Sequence, residues 1–258
     1  MPIALQVVLF VVPCVAIVVW SRDLLRRRLT QTEIAHAEKV VPFLLGTVGS
    51  FYGLISGFML SNSWTQLRQL QSSMTAEVSA MADMSRIASN LPKPFSDEMQ
   101  SDVYRYLQTL IDSELPLMKR GQGSETTTRA LTDMWSTLGR FKPQSSWEGT
   151  LQGTAVNKLL AIGEQRRERL FFSRQRLPPM LWWILIGSSL IIVSGASMAS
   201  LTYHRPAGFF LGSVVAVLVV VLLSIRFLER PFQYRLATQP NEYVVLWQLL
   251  GGPQAASK

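Results

Sequence analysis

Residues 40–60 read VVPFLLGTVGSFYGLISGFML, 21 consecutive positions without a charge. About 20 such residues suffice for a helix to cross roughly 30 Å of hydrocarbon. The same stretch spaces small residues one turn apart, at Gly46, Gly49, Gly53 and Gly57, and adds the hydroxyls of Ser50, Tyr52 and Ser56, with Ser61 and Asn62 just beyond. In lipid, small residues at four-residue spacing let helix backbones approach closely. Polar side chains inside a span point to a cavity or a neighbouring helix. The segment therefore reads as a membrane helix with two uses that do not exclude each other: tight packing, and the lining of a pore.

Working outward, three more apolar blocks appear: Ile3–Trp20, Met180–Ala199 and Ala207–Ile225. The first lacks the basic leader and small-residue cleavage site of a signal peptide, so it reads as a retained span. Trp182 and Trp183 stand at one end of the third, where an interfacial aromatic belt belongs. Gly208, Gly212 and Ala216 repeat the small-residue spacing in the fourth. These blocks account for a composition of 48% hydrophobic and only 16% charged residues, against about 25% charged in soluble domains. None carries an ionisable residue at mid-depth, which argues against a proton-coupled transporter.

Residues 61–179 read as helical throughout. Leu67, Leu70, Met74, Val78, Met81, Met84, Ile87 and Leu91 recur at steps of three and four, so the second span is expected to continue as one long helix as far as Leu91-Pro92. A helix starting at Ser96 presents Met99, Val103, Tyr106, Leu107, Leu110 and Ile111. Another over about 125–140 buries Leu131, Met134, Trp135 and Leu138. Ser145-x-x-Glu148 is a capping box opening a further helix, whose first half Gly149 and Gly153 should make irregular. After Pro240, residues 241–250 form a short amphipathic tail that packs back on this domain. The fold class is all-α: an integral membrane protein with four transmembrane helices and a helical bundle formed by extensions of the second and third spans plus two inserted helices. Its parts are a first transmembrane hairpin (1–60), a soluble helical domain (61–179), a second hairpin (180–226) and a C-terminal tail (227–258).

The net charge of +8 gathers near span ends, which suits headgroup contact and topology signalling rather than nucleic-acid binding. The basic residues near span ends are more numerous on the domain side, favouring a cytoplasmic domain in a bacterial inner membrane. Arg26, Arg27, Arg28, Arg169 and Arg230 are candidates for an ion-attracting mouth, since rings of arginine favour anions. His36 and His204 lack ligand partners, so no metal site is expected, and no nucleotide or hydrolase motif occurs. No cofactor and no enzymatic activity are expected. Glu77, Asp83, Asp112 and Glu114 read as solvated or salt-bridged helix faces, and the lone Cys14 as a packed residue in the first span.

Several short motifs fall in order: Phe51-Tyr52-Gly53-Leu54-Ile55-Ser56-Gly57-Phe58 with Asn62 and Trp64, then Glu77 and Arg86 before Leu91-Pro92, then Glu114-Leu115-Pro116. Arg166-Arg167-Glu168-Arg169-Leu170, Leu177-Pro178-Pro179-Met180-Leu181-Trp182 and Leu228-Glu229-Arg230-Pro231-Phe232 follow. Together they resemble the bestrophin-like family of mostly bacterial membrane proteins. The resemblance implies kinship with bestrophins, oligomeric anion channels with four spans per subunit. It also implies a homo-oligomer, by that analogy a pentamer, with inorganic ions passing a pore along the second span and Gly49, Tyr52, Gly53, Ser56, Gly57 and Asn62 as its lining or gating positions. The sequence departs from bestrophins in lacking their phenylalanine-rich constriction and a calcium-binding acidic cluster. The alternative is a non-conducting scaffold or signalling protein whose helical domain binds a partner.

Overall fold

The computed structural model describes residues 3–26, 31–201, 206–230, 232 and 241–251. Every regular element among them is helical: α1 (Ile3–Arg26), α2 (Gln31–Ala88), α3 (Phe95–Thr109), a π-turn (Leu110–Glu114), α4 (Leu115–Met118), α5 (Glu125–Arg140), α6 (Ser146–Arg174), α7 (Pro179–Ala199), α8 (Pro206–Glu229) and α9 (Asn241–Leu249). By length and apolarity, three helical stretches suffice to cross a membrane: Val41–Ala88, Ser146–Ala199 and Gly208–Glu229. Leu9–Trp20 in α1 is a shorter apolar run.

The chain divides into two compact units, one of Met1–Trp64 with Arg176–Glu229, the other of Thr65–Gln175 with Arg230–Lys258. In the first, Tyr52, Met59, Leu185, Ile192, Leu218 and Ile225 form the core. Small residues set its helix approaches. A Cβ on Gly195 of α7 would stand 2.9 Å from Leu45 Cδ2 of α2, and one on Gly212 of α8 would stand 3.2 Å from Val15 Cγ1 of α1. At both positions glycine lets the helices come together.

The second unit is built on two seams of three- and four-residue steps. On α2, Leu67, Leu70, Met74, Glu77, Met81, Met84 and Ala88 are all buried. On α6, Ala155, Leu159, Ile162, Arg166, Arg169 and Ser173 are buried in the same rhythm. Alternate steps of three and four average 3.5 residues, so each seam stays on one side of its helix. α3 adds Met99, Val103, Tyr106 and Leu107, and α5 adds Ala130, Met134 and Leu138. Trp135 was expected inside but is 37% exposed, because one residue beyond Met134 turns it about 100° off the buried face.

Two local features are not evident from the sequence. α6 is regular from its first turn: Ser145 Oγ accepts from the Glu148 N–H at 3.2 Å, and Glu148 Oε2 accepts from the Gln144 N–H at 2.6 Å. A firm cap outweighs the weak propensity of Gly149 and Gly153, about 1 kcal/mol each relative to alanine. Ahead of Pro116 the helix that begins at Phe95 widens into the π-turn and then runs on to Met118. Pro116 has no N–H to offer the preceding turn, and a wide turn immediately before it accommodates that loss. The helix then ends at Gly121, whose φ of 71° suits glycine.

Candidate pore helix and a buried charge network

Within the first unit, the surface of α2 has three sides. Tyr52, Ser56, Met59 and Ser63 turn inward and are buried; Ser56 Oγ donates to the Gly53 carbonyl at 3.2 Å. Gly46, Ser50, Gly53 and Gly57 lie exposed along a second side, with Gly49 partly exposed. A Cβ built on any of these four glycines meets nothing within 4 Å. The third side carries Phe43, Phe51, Leu54 and Phe58, each at least 62% exposed, together with exposed Asn62. At about 100° per residue, the six predicted pore positions therefore divide among these sides: Tyr52 and Ser56 inward, Gly49, Gly53 and Gly57 on the glycine side, Asn62 with the phenylalanines.

Of the five arginines expected at a mouth, Arg27 and Arg28 lie outside the described residues, as does His204. For Arg26 and His36 only the helical backbone is described. Arg230, directly after α8, is partly buried. Arg169 requires a correction. It is 0% exposed, and its charge is matched by two carboxylates, so it cannot present a field to ions in water.

Arg169 is the centre of a buried network in the second unit. Its Nε donates to Glu77 Oε2 at 2.7 Å, its Nη2 to Glu77 Oε1 at 3.2 Å and to Glu114 Oε1 at 2.7 Å, and its Nη1 reaches Met118 Sδ at 2.8 Å. Arg166 forks onto Glu114 through Nε and Nη2, and Nη2 also donates to the Ser124 carbonyl at 3.1 Å. The Ser124 N–H donates to Glu114 Oε2 at 3.1 Å. Two phenols complete Glu77: Tyr106 Oη donates to Oε1 at 2.6 Å and Tyr243 Oη to Oε2 at 2.7 Å. Glu77 and Glu114 are both fully buried. Two carboxylates and two guanidiniums leave the cluster formally neutral, which a low-dielectric interior demands.

Burial alone would raise the Glu114 pKa. The hydrogen bonds from Arg166, with the charges of Arg169 and Arg166, outweigh it and hold the carboxyl below its ordinary value. Burial pushes Tyr106 and Tyr243 well above the ordinary phenol value, with the Glu77 charge adding to it. Both phenols therefore stay neutral donors. Among the described residues its carboxylates and guanidiniums are all paired with one another, and the cluster ties α2, α3, α6 and α9 through one set of charge-assisted bonds.

Described residues whose regular elements are all helical, with several long apolar helices and one uncovered glycine side, define a multi-pass membrane protein. A model of the bestrophin-like domain matches residues 9–243, and the chain belongs to that family. Its fold is similar to a solved bacterial bestrophin homologue from Klebsiella pneumoniae bearing a single substitution, with 15% identity, a TM-score of 0.67 and coverage of 96% of this chain and 97% of that one. A second crystal structure, of a membrane protein also bearing one substitution, matches at 14% identity and a TM-score of 0.65, covering 96% and 97%. Among curated proteins no significant relative was found.

Proposed function

We propose that this chain is the subunit of an oligomeric ion channel, anion-conducting by family resemblance, with α2 along a central pore. In this reading α1 supplies a fourth span beside α2, α7 and α8, and the helical unit lies in the cytoplasm of a bacterial cell, under the inner membrane. The observation that carries it is the glycine side of α2. Among the described residues, a Cβ on Gly46, Gly49, Gly53 or Gly57 meets nothing within 4 Å, which leaves this side of the helix open to a neighbour or a pore. A pore shared with other subunits fits the uncharged stretch 40–60 of this helix, which offers Ser50 and bare backbone to ions. Gly49, Gly53 and Gly57 would line it, Tyr52 and Ser56 would brace it from behind, and Asn62 would stand toward a neighbouring subunit. Arg26, Arg27, Arg28 and Arg230 remain the proposed sources of positive potential at its ends.

The test is the reversal potential of the purified protein in planar bilayers under a salt gradient. A potential at the anion equilibrium value supports the reading, and one at the cation value keeps the channel but overturns its selectivity. Silence across voltage and pH moves the weight to the non-conducting scaffold. The lone Cys14 permits a finer test in a Cys14→Ser background. Gly53→Cys should let a charged thiol reagent block current, and Phe58→Cys should not; the reverse pattern would place the phenylalanine side on the pore.

A further inference from the structure

Within the first unit, α7 and α8 leave a groove of about 360 Å³ lined by Trp182, Ile186, Leu222, Leu223 and Arg226. The groove is graded along its length. Its one charge, Arg226, stands with its guanidinium 5.9 Å from the centroid of the Trp182 ring. Ile186 lies four residues after Trp182 on α7 and Leu222 four residues before Arg226 on α8; the two helices run in opposite directions, so both are one turn deeper. One end is thus aromatic and cationic, and the rest is aliphatic.

Arg226 is incompletely used. Among the described residues its single hydrogen bond is from Nη1 to Glu229 Oε2 at 3.2 Å, which leaves most of its five N–H donors available. Its side chain is 39% exposed, whereas that of Glu229 is 5% exposed. Glu229 is also occupied: Oε1 accepts from the Leu177 N–H at 3.2 Å, and its carbonyl accepts from Arg176 Nη1 at 3.4 Å. The carboxylate therefore faces inward while the guanidinium faces the groove, and two arginines outweigh one acid at this end of the helix pair.

We propose that this groove binds one anionic phospholipid, its phosphate on Arg226 and an acyl chain along Ile186 and Leu222. Tryptophan and arginine belong at headgroup depth, and basic pockets between membrane helices take anionic headgroups. A free phosphate ion would use only the charged end and leave the aliphatic part wet. The proposal rests on membrane embedding alone and stands whether or not the protein conducts.

The full chain would be reconstituted into phosphatidylcholine vesicles containing either brominated phosphatidylglycerol or brominated phosphatidylcholine. The Trp182 emission is isolated by subtracting a Trp182→Phe variant. Half-quenching at a several-fold lower mole fraction of phosphatidylglycerol is expected, with the preference lost in Arg226→Gln and kept in Arg226→Lys. Leu222→Phe, which narrows the groove and leaves the charge, should weaken quenching by both lipids. Identical curves for the two lipids, or a preference that survives Arg226→Gln, would overturn the proposal and leave ordinary bilayer contact.

Discussion

Tyr243 and Glu77 are 166 positions apart in sequence, and the phenol of one donates a 2.7 Å hydrogen bond to the carboxylate of the other. The short helix α9 is thereby fastened to α2. A second contact, the Tyr104 and Trp247 rings stacked at 5.9 Å, joins α9 to α3. α9 has only nine residues, too few to be helical alone in water, so its structure depends on these anchors. Tyr243→Phe keeps the ring and removes one donor from a buried charge, costing about 1.5–3 kcal/mol. A fall of several degrees in melting temperature, with earlier proteolysis at the C-terminal end, is the expected result. An unchanged melt would show that the hydroxyl adds nothing to the anchoring.

The network also makes Arg169 the most consequential cation of the helical unit. Arg169→Met leaves Glu77 and one oxygen of Glu114 buried without their counter-ion, an expected loss of about 3–5 kcal/mol. The exposed pair of Lys158 and Asp83, 2.7 Å apart with side chains 36% and 37% exposed, is the comparison. Its removal by Lys158→Met should cost less than about 1 kcal/mol. Adding Glu77→Gln to Arg169→Met restores charge balance and should recover part of the loss, about 0.5–3 kcal/mol of coupling. Urea titrations of the parent, these three variants and the Glu77→Gln single variant, which closes the cycle, read these values directly. Equal costs for Arg169→Met and Lys158→Met would mean that the buried charges are reached by water.

The helical architecture was legible in the sequence, but the network was not, and the reason lies in one step of the α2 seam. Taking only apolar residues leads from Met74 to Val78. The regular three-and-four rhythm leads to Glu77, and the structure follows the rhythm. On α6 the same rhythm continues from Ile162 to Arg166 and Arg169. A charge at a seam position was the available signal, and matching acids on one helix to arginines on another would have used it. The pairing itself was beyond reach, because it depends on residues 92 and 55 positions apart. The inward turn of Tyr52 and Ser56 was hidden because the hydroxyls of this run do not share one side: Ser50 is exposed while Tyr52 and Ser56 are buried. Trp135 erred through size, since a large apolar side chain one step off the buried face looks like core.

Acid should act through Glu114. Its folded pKa is depressed by Arg166 and Arg169 against the opposing effect of burial. The resulting stability is present above the unfolded carboxylate value of about 4.3 and is lost as pH falls through the lower folded value. Tyr106 and Tyr243 behave oppositely, with folded pKa values raised by burial and by Glu77. Their contribution is full below the unfolded phenol value of about 10 and declines as pH rises beyond it. Denaturation midpoints across pH should therefore fall at both ends. Glu114→Gln should flatten the acid side and Tyr243→Phe the alkaline side. A variant that shifts the whole curve without changing either slope would exclude its residue as the titrating group.

The glycines of the membrane unit separate packing inside the subunit from contacts beyond it. An alanine Cβ at position 195 would meet Leu45 Cδ2 at 2.9 Å and Val41 Cγ1 at 3.5 Å, so the Leu45 side chain must leave its packed position or the helices must part. Gly195→Ala should lower the melting temperature. At Gly49 and Gly57 the same atom meets nothing within 4 Å, and alanine favours the helix over glycine by up to about 1 kcal/mol. Gly49→Ala and Gly57→Ala should thus melt at or above the parent temperature. Their effect is expected in single-channel conductance, or in the yield of chemically cross-linked oligomer, because the added methyls project from the proposed pore side. If both variants conduct and assemble like the parent, the glycine side faces neither a pore nor a neighbouring subunit, and the phenylalanine side of α2 becomes the place to look for the conduction path.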